Sequence, residues 1–172
     1  MKSQEEPICE IVKNKNLSNY QKGVINKARI SNWGKGAKKN FKKDYEQNSL
    51  WIFVKSGKKI VSLGGIRPIK VKLNKKTYSI GRICSTISTE KKKGYGKILI
   101  SSMVDYAKKT DKTILGFTAD RNAQIFRKSG LKAIKGIIEK FVWIKKDGTK
   151  EYDDDGIGIF LEGKDKFISK LR

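Results

Sequence analysis

The chain has 172 residues, 37% of them hydrophobic, with 40 lysines and arginines against 17 acidic residues, a formal net charge of +23 and no histidine. That length fits a single domain, 1–172, able to bury roughly two thirds of the surface its unfolded form exposes. No apolar run approaches the ~20 residues of a bilayer span and the N-terminal MKSQEEPICE lacks the apolar core of a secretory signal, so a soluble, cytoplasmic protein without a membrane partner is expected.

ICEIV (8–12) reads as a short strand, and residues 17–30 carry Leu17, Tyr20, Val24 and Ala28 at the spacing of one helix face, with Ser18 or Asn16 as the cap. A second, weaker helix is expected over 37–46. LWIFV (50–54) and KIVSL (59–63) flank an SG turn as a hairpin, and IKVKL (69–73) and YSIGRICSTI (78–87) flank an NKK turn as another. From Tyr95 to Lys109 the residues Tyr95, Leu99, Met103 and Tyr106 recur at helical spacing. TILGFT (113–118) is a buried strand, Asp120 is placed to cap a short helix through Lys128 that stops at Gly130, and FVWI (141–144), a DG turn and IGIFL (157–161) close the chain as strands. No repeat or Pro-rich linker divides this order, which specifies a mixed α+β fold with helices packed on a largely antiparallel sheet.

Without histidine the commonest general base and the commonest metal ligand are both absent, so no metal site is expected. Proton transfer falls to a carboxylate, tyrosine, cysteine, lysine or water. Cys9 and Cys84 match no metal or disulfide spacing, which favours two buried thiols in a reducing compartment. The charge points toward nucleic acid or an anionic surface, yet only six of the 40 basic residues are arginines and the lysines are spread along the chain. Composition therefore accounts for most of the excess, and specific nucleic-acid binding is not expected.

The segment TISTEKKKGYG (86–96) ends a strand and opens a helix. Such a turn presents unpaired backbone N–H groups at the positive end of the helix dipole, and Gly94 and Gly96 let a phosphate approach closely. It is neither a dinucleotide fingerprint, which needs a third glycine where Leu99 stands, nor a P-loop, which needs Ser or Thr where Ile98 stands.

At these residues the sequence resembles the GNAT superfamily of acetyl-CoA-dependent N-acetyltransferases. The superfamily signature, Gln or Arg, two residues, Gly, one residue, Gly or Ala, reads here Lys91-Lys92-Lys93-Gly94-Tyr95-Gly96, with lysine at the first position. The resemblance spans essentially the whole chain. It implies a central sheet of six to seven strands flanked by about four helices. It also implies acetyl-CoA bound by Ser85, Thr86, Ile87 and Ser88 along the strand, by 91–97 (Lys91, Lys92, Lys93, Gly94, Tyr95, Gly96, Lys97) at the turn, and by Asn122, Phe126 and Lys128 from the helix in RNAQIFRKSGL.

The stretch from Arg127 to Gly163 is similar to the aminoglycoside 2′-N-acetyltransferase branch, whose Asp-rich turn matches Asp153, Asp154, Asp155 and Gly156. This implies substrate contacts from Asp153 and Asp154, with Thr118 beside them. Three departures stand out: Phe126 occupies the place of that branch's general-acid tyrosine, Arg82 that of its glutamate, and the chain ends KFISKLR in place of an acidic, tryptophan-bearing tail.

The resemblance thus implies acetyl transfer from acetyl-CoA to a primary amine of a small molecule by direct attack in a ternary complex. Glu90, Asp120 and Asp153 (acting through water) are the candidate bases. A backbone N–H near Ser85 or Thr86 would polarise the thioester oxygen. Cys84 is read as a structural thiol rather than a nucleophile. The alternatives are acetylation of protein lysines or N-termini, and a nucleic-acid-associated protein that keeps the fold without catalysis; a homodimer stays open.

Overall fold

The computed structural model describes residues 5–43, 46–152 and 156–171. Its elements follow the chain as β1 (Ile8–Lys13), α1 (Asn19–Trp33), β2 (Leu50–Ser56), β3 (Lys59–Leu73), β4 (Lys76–Ser88), α2 (Tyr95–Thr110), β5 (Ile114–Thr118), α3 (Asp120–Lys128), β6 (Lys132–Ile134), β7 (Val142–Ile144), β8 (Lys150–Tyr152), β9 (Ile157–Leu161) and α4 (Phe167–Leu171). Seven strands form one sheet in the order β1-β2-β3-β4-β5-β9-β6, and β7 and β8 form a separate ribbon. Every neighbouring pair in the large sheet is antiparallel except β4 and β5, which run parallel.

The sheet is buried on both faces. Along β2, Trp51 and Phe53 pack with Ile25 and Ala28 of α1, while Ile52 and Val54, one residue out of phase, pack with Leu99, Met103 and Val104 of α2. This period-2 alternation of large apolar residues on a strand covered from both sides explains why LWIFV has no polar position. A third cluster joins Tyr78, Ile80, Leu115 and Phe160 to Phe167 and Ile168 of α4. Helix α1 starts at a capping box in which Ser18 and Gln21 exchange side-chain and backbone bonds, which settles the cap between Ser18 and Asn16.

The expected helix over 37–46 does not form among the described residues there. Lysines crowd around Phe41, and the only other apolar residues, Ala37 and Tyr45, each stand four away, too few for a stripe worth burying. Polar side chains take the backbone instead: Asn26 Oδ1 accepts from Lys39 N at 2.8 Å, and Asn40 Oδ1 accepts from Lys42 N at 3.0 Å. KIVSL and IKVKL are one continuous strand, β3, rather than parts of two hairpins. FVWI does not pair with IGIFL; its Val142–Ile144 pairs with Lys150–Tyr152 across the Asp147-Gly148 turn, whereas β9 lies between β5 and β6. Strand β6, three residues long, and helix α4, five, are too short for periodicity to reveal. Asp120 is the first residue of α3 and not its cap, which is Ala119 with no side-chain bond. Cys9 is exposed on the edge strand β1, against the expectation of two buried thiols. No helix among the described residues is long and apolar enough to cross a membrane.

Candidate active site at the parting of β4 and β5

Strands β4 and β5 share only two rungs, Gly81↔Ile114 and Arg82↔Leu115. Beyond them β4 continues to Ser88 and β5 to Thr118 without pairing with each other, each held by its other neighbour, β3 and β9. A bulge bends β4 at that point. The pairs Leu63↔Ile87 and Gly65↔Cys84 leave Ser85 and Thr86 opposite the single Gly64, and Ser85 adopts a left-handed φ of 54°. Arg29 of α1 braces the bulge, donating Nη1 to Ser85 Oγ and Nε to the Ala37 carbonyl at 2.8 Å. Between the parted strands lies a cleft of about 880 Å³.

The lysine-glycine turn closes one end of this cleft. Lys92 and Gly94 have φ of 60° and 77°, and Gly94 is the N-cap of α2 without any side-chain bond to the first turn. A left-handed cap favours glycine, and it leaves the first N–H groups of a 16-residue helix without a protein cap. Gly96 is closely packed: a Cβ there would stand 3.1 Å from Ser88 Oγ and 3.3 Å from Ile125 Cδ1, so those side chains would have to give. The turn is tied down at Glu90, which accepts from Lys59 at 2.6 Å and pairs with Lys93 at 2.9 Å. Those two ammoniums hold the Glu90 carboxyl below the usual carboxylate range.

Of the residues singled out from the sequence, Ser85, Thr86, Ile87, Ser88, Glu90, Lys91, Lys92, Gly94, Tyr95, Gly96, Thr118, Asn122 and Phe126 all line the cleft. Lys93, Lys97, Lys128 and Asp120 do not: Lys93 turns to Glu90, and Asp120 reaches Lys135 at 3.4 Å. Asp153 and Asp154 lie outside the described residues. The cleft also contains Arg121 and Ile125 of α3 and Trp33 at the end of α1, which sequence reasoning passed over. A separate hollow of about 360 Å³, bounded by Lys13, Pro68, Tyr106 and Lys112, contains none of the predicted site residues.

On the far side of the bulge the cleft continues into a recess of about 370 Å³, with which it shares Trp33, Ile83, Cys84, Ser85 and Phe117. Four cations from separate segments line the recess: Arg29 on α1, Lys39 on the loop after it, Arg67 on β3 and Arg82 on β4. Behind them the fully buried Glu46 accepts from Lys39 Nζ, from Arg67 Nη2 and, at 3.0 Å, from Ser49 Oγ. Desolvation lowers the Lys39 pKa, opposed by the Glu46 bond and assisted by Arg67. Burial likewise pushes the Cys84 thiol up, although Lys39 and Arg67 pull it down, so Cys84 is a poor thiolate nucleophile at neutral pH. Arg82 lays its guanidinium over the Trp143 ring of β7 at 4.4 Å.

No protein-family model matches the sequence, and no curated protein matches it either. Solved structures do. Escherichia coli ElaA superposes with a TM-score of 0.62 at 14% identity, covering 91% of this chain and 100% of that one. An acyl-CoA N-acyltransferase from Pseudomonas aeruginosa gives 0.59 at 10% identity, covering 90% and 99%. A Bacillus subtilis acetyltransferase in complex with CoA gives 0.56 at 14% identity, covering 91% and 99%. The chain has the GNAT-like fold, which among the described residues is a mixed, mostly antiparallel seven-stranded sheet with four helices.

Proposed function

We propose that the protein is an acetyl-CoA-dependent N-acetyltransferase acting on a primary amine of a small molecule. The observation that carries this reading is the coincidence, in one cleft, of an uncapped helix start shaped by Gly94 and a strand that bulges at Ser85 after parting from β5. The cleft suits the coenzyme chemically. Lys91 and Lys92 precede the α2 N-terminus and Arg121 of α3 lines the same cleft, cations fit for a diphosphate, while Thr86 and Ser88 edge a wall that Ile87, Ile125 and Phe126 make apolar. Such a wall suits an extended arm that needs backbone partners and little charge.

Bound acetyl-CoA supplies the acetyl thioester: the amine nitrogen bonds to the carbonyl carbon, the carbon–sulfur bond breaks with its electron pair leaving on the thiolate, and the amine loses one proton. The chain's part is to bind, orient and polarise. A backbone N–H at the Ser85–Thr86 bulge is the donor for the carbonyl oxygen. Glu90, kept ionised by Lys59 and Lys93, serves the reaction by anchoring the turn, because a carboxylate of low pKa is a weak base. Asp120 does not line the cleft and Asp153 lies outside the described residues; in this reading the amine proton passes to water, with Asp153 still a candidate to receive it from there.

The test is calorimetric titration of acetyl-CoA into the natural protein and into Gly94→Glu. Micromolar binding to the first and loss of at least tenfold in the second is expected, because the variant sets a carboxylate in the diphosphate path and strains a φ of 77°. Equal affinity in both proteins would overturn the site.

A further inference from the structure

Ser85 lines both the cleft and the recess beyond the bulge. On the reading just given the acetyl carbonyl is polarised there, so an attacking amine has to meet it among the residues the two cavities share. Besides Ser85 these are Trp33, Ile83, Cys84 and Phe117. We propose that the acceptor is an arylalkylamine, a primary amine on a short arm from an aromatic ring, and that Trp33 and Phe117 receive the ring. The inference rests on the N-acetyltransferase reading and extends it to the class of substrate.

The placement of Trp33 is the first ground. It is the last residue of α1, and Gly34, with a φ of 83°, turns the chain away directly after it. Arg29, one helical turn earlier, lies over the indole at 5.2 Å from its centroid and is itself fixed by its bonds to Ser85 and to the Ala37 carbonyl. Trp33 is nevertheless 54% exposed, and among the described residues it belongs to none of the three hydrophobic clusters. A lone apolar side chain on a convex surface needs no explanation, but a tryptophan held in place on the wall of a cleft offers a surface for a ligand.

Phe117 is the second. It sits on β5 beyond the two rungs shared with β4, half-buried, with its ring edge-on to Phe141 at 5.6 Å and 71°. Two rings from distant segments, each fixed by a neighbour, thus meet the same junction of cleft and recess, and Ile83 of β4 adds an apolar side chain beside them. A third ring brought against them gains from stacked or edge-on contact beyond the area it buries, at little cost in ordering the site. A polyamine set against the same rings would give up water for few hydrogen bonds in return.

The arrangement also serves the chemistry. Apolar surroundings disfavour the charged form of an amine, so the ring that anchors the acceptor brings its nitrogen to a place where the ammonium gives up a proton more readily. The transfer itself is unchanged: nitrogen–carbon bond formed, carbon–sulfur bond broken with its electron pair leaving on the thiolate, the amine proton released to water.

The experiment follows thiol release from acetyl-CoA with 2-phenylethylamine, tryptamine, 2-cyclohexylethylamine, ethylamine, ethanolamine and spermidine, using the natural protein, Trp33→Ala and Trp33→Phe. The expected result is a kcat/KM at least about tenfold higher for an aromatic amine than for ethylamine, from burial of the ring, and about 2- to 10-fold higher than for the cyclohexyl analogue, from the aromatic contact itself. Trp33→Ala should cut the preference for 2-phenylethylamine over ethylamine by about tenfold, and Trp33→Phe by less, because phenylalanine keeps a ring. The preference is a ratio between two amines, so a general loss of coenzyme binding or of folded protein leaves it unmoved. An unmoved ratio in Trp33→Ala, whatever the fall in rate, would assign Trp33 to the coenzyme or to the fold and overturn the proposal. Equal turnover of the cyclohexyl analogue, preference for ethylamine, ethanolamine or spermidine, or no turnover of any aromatic amine by a protein that binds CoA in calorimetry overturns the acceptor class alone. Failure to bind CoA overturns the enzyme reading beneath it.

Discussion

Lys59, the first residue of β3, donates to Glu90 at 2.6 Å, so one end of a 15-residue strand pins the turn that follows its neighbour. Lys93 grips the same carboxylate from within the turn. The three residues form a brace at the rim of the cleft, with Glu90 lining it and the two lysines beyond, that fixes the approach to Gly94.

Glu90→Gln should loosen that brace. We expect a several-fold loss of acetyl-CoA affinity with no change in the pH at which kcat/KM rises, since the turn and not a proton-transfer step is affected. The Glu90 carboxyl is depressed in the folded state, so its contribution to stability is present above the unfolded carboxyl pKa and is lost as pH falls through the lower folded value. Acid unfolding followed by circular dichroism should show a shallower loss below about pH 4 in the variant. A shifted rate profile would instead identify Glu90 as the base.

Glu46 is a different kind of carboxylate, fully buried and shared by Lys39 and Arg67. Its removal takes from two largely buried cations the carboxylate they share. Glu46→Ala should destabilise the protein by about 3–5 kcal/mol, a fall in melting temperature of about 6–20 °C for a chain of this size. Urea unfolding measures it. A loss under about 1 kcal/mol would mean that solvent reaches this network and that the pair behaves as a surface bridge.

Gly96→Ala sets two effects against each other. Alanine favours a helix over glycine by about 1 kcal/mol, but the new methyl stands 3.1 Å from Ser88 Oγ, itself bonded to Ser62 Oγ at 3.0 Å. Overpacking costs about 1–3 kcal/mol, so a net loss of about 1 kcal/mol is expected. Because the shift falls on α2 against the cleft wall, coenzyme affinity should drop in the same variant. A more stable variant with unchanged affinity would show that α2 yields freely.

The fold was largely legible because its long elements carry clean periods. Trp51 to Val54 and Tyr95 to Tyr106 each repeat apolar residues at the spacing of the face they bury, and the glycine turn between a strand and a helix is a local signal. What escaped was set by contacts distant in sequence. Lys132–Ile134 is a strand only because β9 offers it a partner, and 37–46 fails as a helix because Asn26 on α1 takes the Lys39 backbone. The recess brings Arg29, Arg67 and Arg82 together across 53 positions of sequence, a juxtaposition no spacing reveals. Arginine scarcity was its one visible trace.

The surplus of charge has its own test. Lysines spread over the whole surface give weak, indiscriminate attraction to nucleic acid, whereas a dedicated site contacting many phosphates keeps selectivity while affinity falls steeply with salt. We expect binding to mixed RNA and DNA that vanishes by about 0.15 M salt, where the Debye length is about 8 Å. Selective nanomolar binding at that salt would make the nucleic acid a real partner.

Phe126 lines the cleft and is 6% exposed, packed in the same cluster as Val104 and Leu131. It offers no proton to a departing thiolate, and the chain has no histidine to substitute for it. A thiol of pKa about 8.5 leaves tolerably without assistance at neutral pH, so loss of the amine proton should govern the rate. We expect kcat/KM to rise from pH 6 to about 9 with a single proton lost and no descending limb, because a required general acid would impose one. Phe126→Tyr should then raise kcat by only a small factor, since acid catalysis reaches about 100-fold only where departure limits the reaction. The hydroxyl also has to fit where the ring is buried, so the variant's stability must be measured beside its rate. A bell-shaped profile in the natural protein would reveal an acid, and Tyr95, which lines the same cleft, is the residue to change next.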